Sequence, residues 1–443
     1  MQHTATNSVE TPVPGFRGAF ARQSLWLLAT FVTAAVALLF NRADAWGQIF
    51  REWTLGISPW LQAAVVALAM VVLCRLRDTL FPGTEGTGIP QTIAALKLGD
   101  HPARERVLSL RILCGKTLLL VFALLTGPTI GREGPSVHVG ACAFHLASRL
   151  TRFPPHLAAR GLVLAGGAAG IASSFNAPIA GIIFTFEEIG RSFHKENASV
   201  IVRTAALAAI LCAAFLGDYT FYGKVAARLP SAVGWIAVPI IGLSGGVLGG
   251  LFAKAVLVGS EKITQIRRRR PWAVAVGLGL VLAGIGLASE GLSYGSGYLQ
   301  AHAILIEGEK KPWWLFLAIA SGSFFSLLSA IPGGLFDPSL STGAALGQLV
   351  HPWVPGMSQQ EVVLLFMASY FAGVTQSPIT AAVIVLEMTS AHGATLPLLL
   401  AAMLAYEASR RVCPNAFYDT LAERFLDGIG AAARPPPVSG QRS

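Results

Sequence analysis

Apolar residues recur in blocks along the whole chain, at 24–40, 60–73, 117–125, 161–172, 177–186, 199–216, 232–258, 272–288, 313–330, 360–374, 377–388 and 394–406. A helix needs roughly 20 apolar residues to cross a hydrocarbon core, so the longer blocks predict full spans. Several blocks are clearly shorter. Irregular backbone cannot face lipid, so short segments interrupted by Gly or Pro predict half-helices enclosed by protein. The pattern therefore predicts an all-α polytopic membrane protein with broken, re-entrant helices.

Composition agrees with this class. Of 443 residues, 53% are hydrophobic and 13% charged, against roughly 25% charged in a soluble domain. The net charge of +10 raises the question of nucleic acid, but the basic residues flank apolar blocks: Arg75 and Arg77, Arg104 and Arg106, Arg267 to Arg270, Lys310 and Lys311, Arg410 and Arg411. That placement sets topology and meets lipid headgroups, so no nucleic-acid partner is expected. Five cysteines (Cys74, Cys114, Cys142, Cys212, Cys413) lack CxxC spacing, which argues against a disulfide framework. The first 23 residues do not follow the order of a signal peptide, and residues 1–19 read as a short soluble arm.

The chain repeats itself. Ala172, Pro178 and Ile179 recur 200 residues later as Ala372, Pro378 and Ile379, and Glu187 recurs as Glu387. At an offset of 203, Pro135-Ser136 meets Pro338-Ser339 and Gly140-Ala141 meets Gly343-Ala344. At 209, Gly86, Gly88 and Gln91 meet Gly295, Gly297 and Gln300. Three stations in the same order predict two membrane repeats, 20–229 and 230–430, followed by a tail at 431–443. Transporters often pair such halves in inverted topology, with broken helices meeting near the midplane.

Three segments break helices in this way: Gly86-Thr87-Gly88-Ile89-Pro90, Gly131-Arg132-Glu133-Gly134-Pro135 and Gly333-Gly334-Leu335-Phe336-Asp337-Pro338. Each joins glycines to a proline suited to a helical first turn, so helices are expected to open at Pro90, Pro135 and Pro338. Converging helix N-termini would hold a small anion by partial charges alone. An ion held that way can also leave, as transport requires. Glu133 is itself an anion in an apolar setting, where ionisable residues are functional candidates.

These motifs resemble the CLC family of chloride channels and proton-coupled chloride antiporters, over about residues 20–425. Gly-Arg-Glu-Gly-Pro matches without change, Gly-Ser-Gly-Ile-Pro has Thr87 at its serine, and Gly-x-Phe-x-Pro is Gly334 to Pro338. A late tyrosine of the family is matched by Tyr418. The resemblance implies that the Thr87 and Tyr418 hydroxyls and the Leu335 and Phe336 amides coordinate a central anion. It implies that Glu133 gates the path and carries a proton, that Glu188 is the inner proton-transfer glutamate, and that Lys116 fills a basic position. A homodimer with one pathway per subunit, in the cell membrane (the inner membrane if bacterial), is implied too. The substrate ions are chloride and H+, and no further cofactor is expected.

The departures matter as well. Thr87 keeps the hydroxyl but adds a methyl. In the family serine there accompanies chloride and proline accompanies nitrate, so Thr87 favours chloride. Ile93 stands where some relatives carry a glutamate, leaving Lys116 without that partner. Asp337 occupies a position that is usually small and uncharged. It is either a second protonatable group or a side chain turned from the path, and Arg132 is a candidate base for it. Glu187 and Glu387 fit helix-end roles better than catalysis, and Gly242 to Gly250 has the spacing of close helix packing. The nine histidines form no metal motif. After Tyr418 only 25 residues remain, too few for the paired CBS domains of some relatives. The alternatives to a proton-coupled anion antiporter are a passive channel for chloride or another anion and, far behind, an intramembrane enzyme. An enzyme is disfavoured because no nucleophile–base pair or Asp-rich metal motif accompanies Glu133.

Overall fold

The computed structural model describes residues 16–98, 102–154, 157–190, 195–217, 220–227 and 231–433. The first repeat holds α1 (Phe16–Ile57), α2 (Pro59–Thr79), α3 (Ile89–Leu98), α4 (Leu110–Thr126), α5 (Glu133–Leu150), α6 (Leu162–Phe175), α7 (Pro178–Phe184) and α8 (Lys195–Leu216). The second holds α9 (Ala232–Arg269), α10 (Pro271–Ala288), α11 (Tyr298–His302), α12 (Leu315–Leu328), α13 (Phe336–Val350), α14 (Gln359–Thr375), α15 (Pro378–Thr389) and α16 (Thr395–Val412), and α17 (Phe417–Ala433) closes the chain. In both halves the first helix is the longest, and the third and seventh are the shortest. Among the described residues no strand occurs, and the one β-type pairing is an isolated antiparallel bridge.

Length and burial sort the helices into two kinds. Six helical stretches among the described residues are long and apolar enough to cross a membrane. The long helices expose large apolar side chains, such as Leu28, Leu68, Ile240 and Leu280. The shorter ones do the opposite: every residue of α6 is buried, and so is every residue of α14 from Val362 onward. Helices that stop at mid-depth must bury their ends in protein, because lipid offers no hydrogen bonds. Small residues allow the close packing this needs. On α9, a Cβ added at Gly249 would come within 2.8 Å of Gly373 backbone on α14, as the spacing from Gly242 to Gly250 predicts.

The inverted relation appears in backbone detail. Asn176 ends α6 at φ 53°, ψ 42°, and its counterpart Gln376 ends α14 at φ 60°, ψ 34°. Ala177 (−131°, 80°) and Ser377 (−124°, 79°) then open α7 and α15 in the same conformation. Glu187 accepts hydrogen bonds from the Ile379 and Thr380 amides at 3.1 and 2.6 Å, and Glu387 accepts from Ile179 and Ala180 at 3.1 and 2.6 Å. Each glutamate thus caps the start of the other repeat's helix, where amides lack intrahelical acceptors. Only a two-fold relation between the halves allows this reciprocity.

Two boundaries differ from the sequence reading. α1 begins at Phe16, inside the expected 1–19 arm, and runs 17 residues past the apolar block that ends at 40. Asp44 and Arg51, which punctuate that block's pattern, lie against each other and remain helical. α17 extends to Ala433, past the expected limit of 430. The remainder of the arm, residues 1–15, and the tail from 434 lie outside the described residues.

The reciprocal caps predict a stability cost. Glu387→Ala leaves the Ile179 and Ala180 amides without their acceptor and is expected to cost about 1–3 kcal/mol. Thermal unfolding in detergent should show a lowered midpoint, with a smaller drop for Glu387→Gln, which keeps one acceptor oxygen. An unchanged midpoint for the alanine variant would remove the caps from the fold's stability.

Candidate functional site

The two central loops meet at one point. Gly131 donates its N–H to the Gly334 carbonyl at 2.8 Å, and Gly334 donates back to Gly131 at 2.6 Å. These glycines are repeat counterparts, so the bridge lies on the pseudo-two-fold axis. Immediately after them α5 starts at Glu133 and α13 at Phe336, with Arg132 (φ −110°, ψ −12°) and Leu335 (φ −113°, ψ −3°) as matching caps. The helices thus begin two residues before Pro135 and Pro338, and α3 begins one residue before Pro90. The first four amides of a helix have no intrahelical acceptor, so a proline anywhere in that turn is tolerated.

The third segment joins the other two. Gly86 donates to the Ala330 carbonyl at 3.0 Å, and a Cβ at Gly134 would stand 2.7 Å from the Thr87 carbonyl oxygen. Gly88 holds φ +93°, a value that L side chains rarely adopt. Phe336 fixes the start of α13 by packing its ring on Phe175, Phe184 and Phe371, with centroids 6.3, 5.5 and 4.6 Å away. Three helix starts and their unspent amides therefore face one small region.

The Glu133 carboxylate occupies that region. The side chain is fully buried, and neither oxygen has a hydrogen-bond partner. A Cβ at Gly334 would lie 3.0 Å from Oε2, and one at Gly131 would overlap it while reaching 3.4 Å from the Asp337 amide. Thr87 Oγ1 and Tyr418 Oη are likewise buried without partners. The Tyr418 hydroxyl lies in electrostatic reach of both Glu188 and Glu133. Glu188 is buried on a π-helical turn, Thr185–Ile189, and accepts a hydrogen bond from Ser377 Oγ. A cavity of about 450 Å³ opens beside Thr87 and is lined by Glu85, Gln91, Arg268, Phe417 and Arg424. So Thr87, Leu335, Phe336, Tyr418 and Glu133 gather at one place, with Glu188 behind Tyr418.

Charged neighbours are arranged otherwise than the sequence suggested. Arg132 reaches Asp44 Oδ2 on α1 at 3.2 Å and lays its guanidinium 5.2 Å from the Phe221 ring centroid. Arg51 and Ser296 also face Asp44, at 3.9 and 3.2 Å. Lys116 is buried near Gly88, and its Nζ lies 3.2 Å from His138 Nδ1. His138 Nε2 lies 3.0 Å from the Val107 carbonyl. A carbonyl only accepts, so Nε2 carries the proton and Nδ1 accepts from lysine. His138 thus gives Lys116 a hydrogen-bond acceptor, and Glu85 lies in electrostatic reach of the same lysine. Asp44, His138 and Tyr222 went unnoticed in the sequence, although Asp44 carries the signal of an acid within a long helix in membrane context.

The family profile described as voltage gated chloride channel matches residues 76–410. The chain belongs to this family, the CLC proteins. A relative named "Putative chloride channel protein ClcB-like", from Ralstonia nicotianae, is 29% identical over 86% of this chain and 89% of its own. One named "H(+)/Cl(-) exchange transporter ClcA", from Cronobacter sakazakii, is 26% identical over 90% and 88%. Among solved structures, a slow cyanobacterial Cl−/H+ antiporter superposes with TM-score 0.78 at 21% identity, covering 94% of this chain and 99% of that one. A CLC-type fluoride/proton antiporter gives 0.78 at 21% over 92% and 99%. One curated relative of this CLC chain is thus named a channel protein and the other an exchange transporter, and its fold is that of CLC antiporters of known structure. Among the described residues, no group of three or more His, Cys, Asp or Glu is placed to hold a metal ion.

The glycine bridge predicts a sharp steric effect in this CLC site. Gly131→Ala sets a methyl group on the Glu133 carboxylate and is expected to lower the thermal unfolding midpoint in detergent. An unchanged midpoint would show that the carboxylate leaves that space freely.

Proposed function

We propose that this chain is a proton-coupled chloride antiporter in which Glu133 competes with the transported anion for one seat. The observation that carries this reading is the burial of an unpartnered carboxylate against the starts of α5 and α13. Aligned peptide dipoles favour any anion there, whether chloride or the carboxylate. Thr87 Oγ1, Tyr418 Oη and the Leu335 and Phe336 amides coordinate the anion. Protonation of Glu133 removes its claim on the site, and the exchange of one occupant for the other couples the two ions. Glu188, held by Ser377 and close to Tyr418, relays protons from the inner side. Arg132 and Lys116 modulate the local field without contributing a ligand.

The functional unit is a homodimer in the cell membrane, by likeness to the family. Each subunit comprises membrane repeats at 20–229 and 230–430, a division supported by the matching helix orders. The substrates are chloride and H+.

Flux from liposomes with both ions recorded decides between exchange and passive conduction. A chloride gradient is expected to drive protons uphill, and a parent protein that moves chloride alone would sink the antiport reading in favour of a channel. Glu133→Ala should keep anion flux while proton movement vanishes. In Glu188→Gln, proton flux should fall at least about tenfold relative to chloride. Thr87→Pro should raise nitrate flux relative to chloride, and an unaltered ratio would take Thr87 out of selectivity.

A further inference from the structure

The second residue of α13 is an aspartate with no counter-charge of its own. Asp337 is fully buried, and neither carboxyl oxygen has a hydrogen-bond partner. It faces the Glu133 carboxyl across the axis between the repeats, with Arg132 and Asp44 farther out. Tyr222 Oη and Ser341 Oγ, also buried, adjoin each other and the same spot. Tyr298 stacks on Tyr222 at 5.4 Å, closing the cluster. Tyr222 belongs to the connection between α8 and α9, at the end of α9 opposite Arg267 to Arg269. The basic end is the inner one by the positive-inside rule, so this cluster lies on the outer side of the anion seat.

Charge balance sets the protonation of this group. Arg51 and Arg132 are guanidiniums at this end; Glu52, next to Arg51, is exposed and screened by water, and the buried or half-buried carboxyls they stand against are Asp44, Glu133 and Asp337. Asp44 contacts both arginines. The surplus positive charge matches one further carboxylate, so Glu133 and Asp337 cannot both ionise at small cost. Two ionised carboxylates are acceptors only, and they can hydrogen-bond to each other only when one carries a proton. In such a pair the proton belongs to both groups together.

We propose that Asp337 is a second proton-binding residue of the transport site, sharing one proton with Glu133 and exchanging it with the outer side through Tyr222 and Ser341. When the proton moves from a Glu133 oxygen to an Asp337 oxygen, one O–H bond breaks and one forms, and the net charge of the cluster is unchanged. The freed Glu133 carboxylate then holds the anion seat. Its protonated form yields that seat while Asp337 carries the negative charge. The role in transport rests on the antiport reading above, whereas the sharing of a proton does not.

Infrared difference spectra of the full-length protein in lipid, taken across a pH step, test the sharing directly. The parent should show a protonated-carboxyl stretching band persisting to neutral pH. Both Asp337→Asn and Glu133→Gln should lose it, because either change leaves one carboxylate matched to the surplus positive charge. A band intact in Asp337→Asn would overturn the proposal. In liposomes, Asp337→Asn should lower the proton-to-chloride flux ratio about tenfold, the effect of one pKa unit in proton affinity, and Asp337→Glu should restore it. An unchanged ratio in Asp337→Asn would overturn the transport role. If the parent moved no protons while both variants lost the band, the antiport reading would fail and the shared proton would stand.

Discussion

The pair of hydrogen bonds between Gly131 and Gly334 is the constraint on which the rest of the structure depends. Loops at membrane depth cannot satisfy their backbone with water, so each loop here satisfies the other. Because the two residues are repeat counterparts, an antiparallel pairing between them imposes a two-fold axis at that point. The axis fixes where α5 and α13 begin, and hence where their unspent amides gather. At Gly131 the Glu133 carboxylate fills the space a side chain would take, and at Gly334 the same carboxylate and the facing loop crowd it.

A frame with this symmetry would give a symmetric site, yet the groups at it are not duplicated. Glu133 corresponds to Phe336, Arg132 to Leu335, Gly134 to Asp337, and Glu188 to Met388. Repeat one thus supplies Glu133 and Glu188, and repeat two supplies Asp337, an aromatic anchor and a hydroxyl, Ser377, for Glu188. The structural carboxylates Glu187 and Glu387 keep the symmetry because capping a helix is needed equally on both sides. Caps are duplicated, and reactive groups are not. That contrast separates residues that hold the fold from those proposed to work on ions.

Much of this was legible in the sequence, for physical reasons. The recurrence of Gly and Pro at nearly fixed offsets reported the repeats, because helix breaks at membrane depth tolerate few other residues. The same motifs mark the helix breaks beside which Thr87, Glu133, Leu335 and Phe336 stand. Helix starts were misplaced by one or two residues, since proline is compatible with any position in the first turn and marks none of them. Asp44, His138 and Tyr222 escaped notice because their meaning is tertiary. Asp44 precedes Arg132 by 88 residues, and His138 matters only once Lys116 lies beside it.

In the proposed anion site, the position of Arg132 explains how the seat does without a bound cation. A guanidinium aimed into the seat would hold chloride or Glu133 by full charge, and neither would leave readily. Asp44 draws that guanidinium outward, and the Phe221 ring supports it there. What remains at the seat is the weaker attraction of peptide dipoles, which favours an anion without favouring one occupant permanently. Asp337 then enters as a consequence of the same economy of charge. With Arg132 committed to Asp44, a second buried acid close to Glu133 is tolerable only if the pair keeps a proton, and a proton kept between two acids is already poised to move.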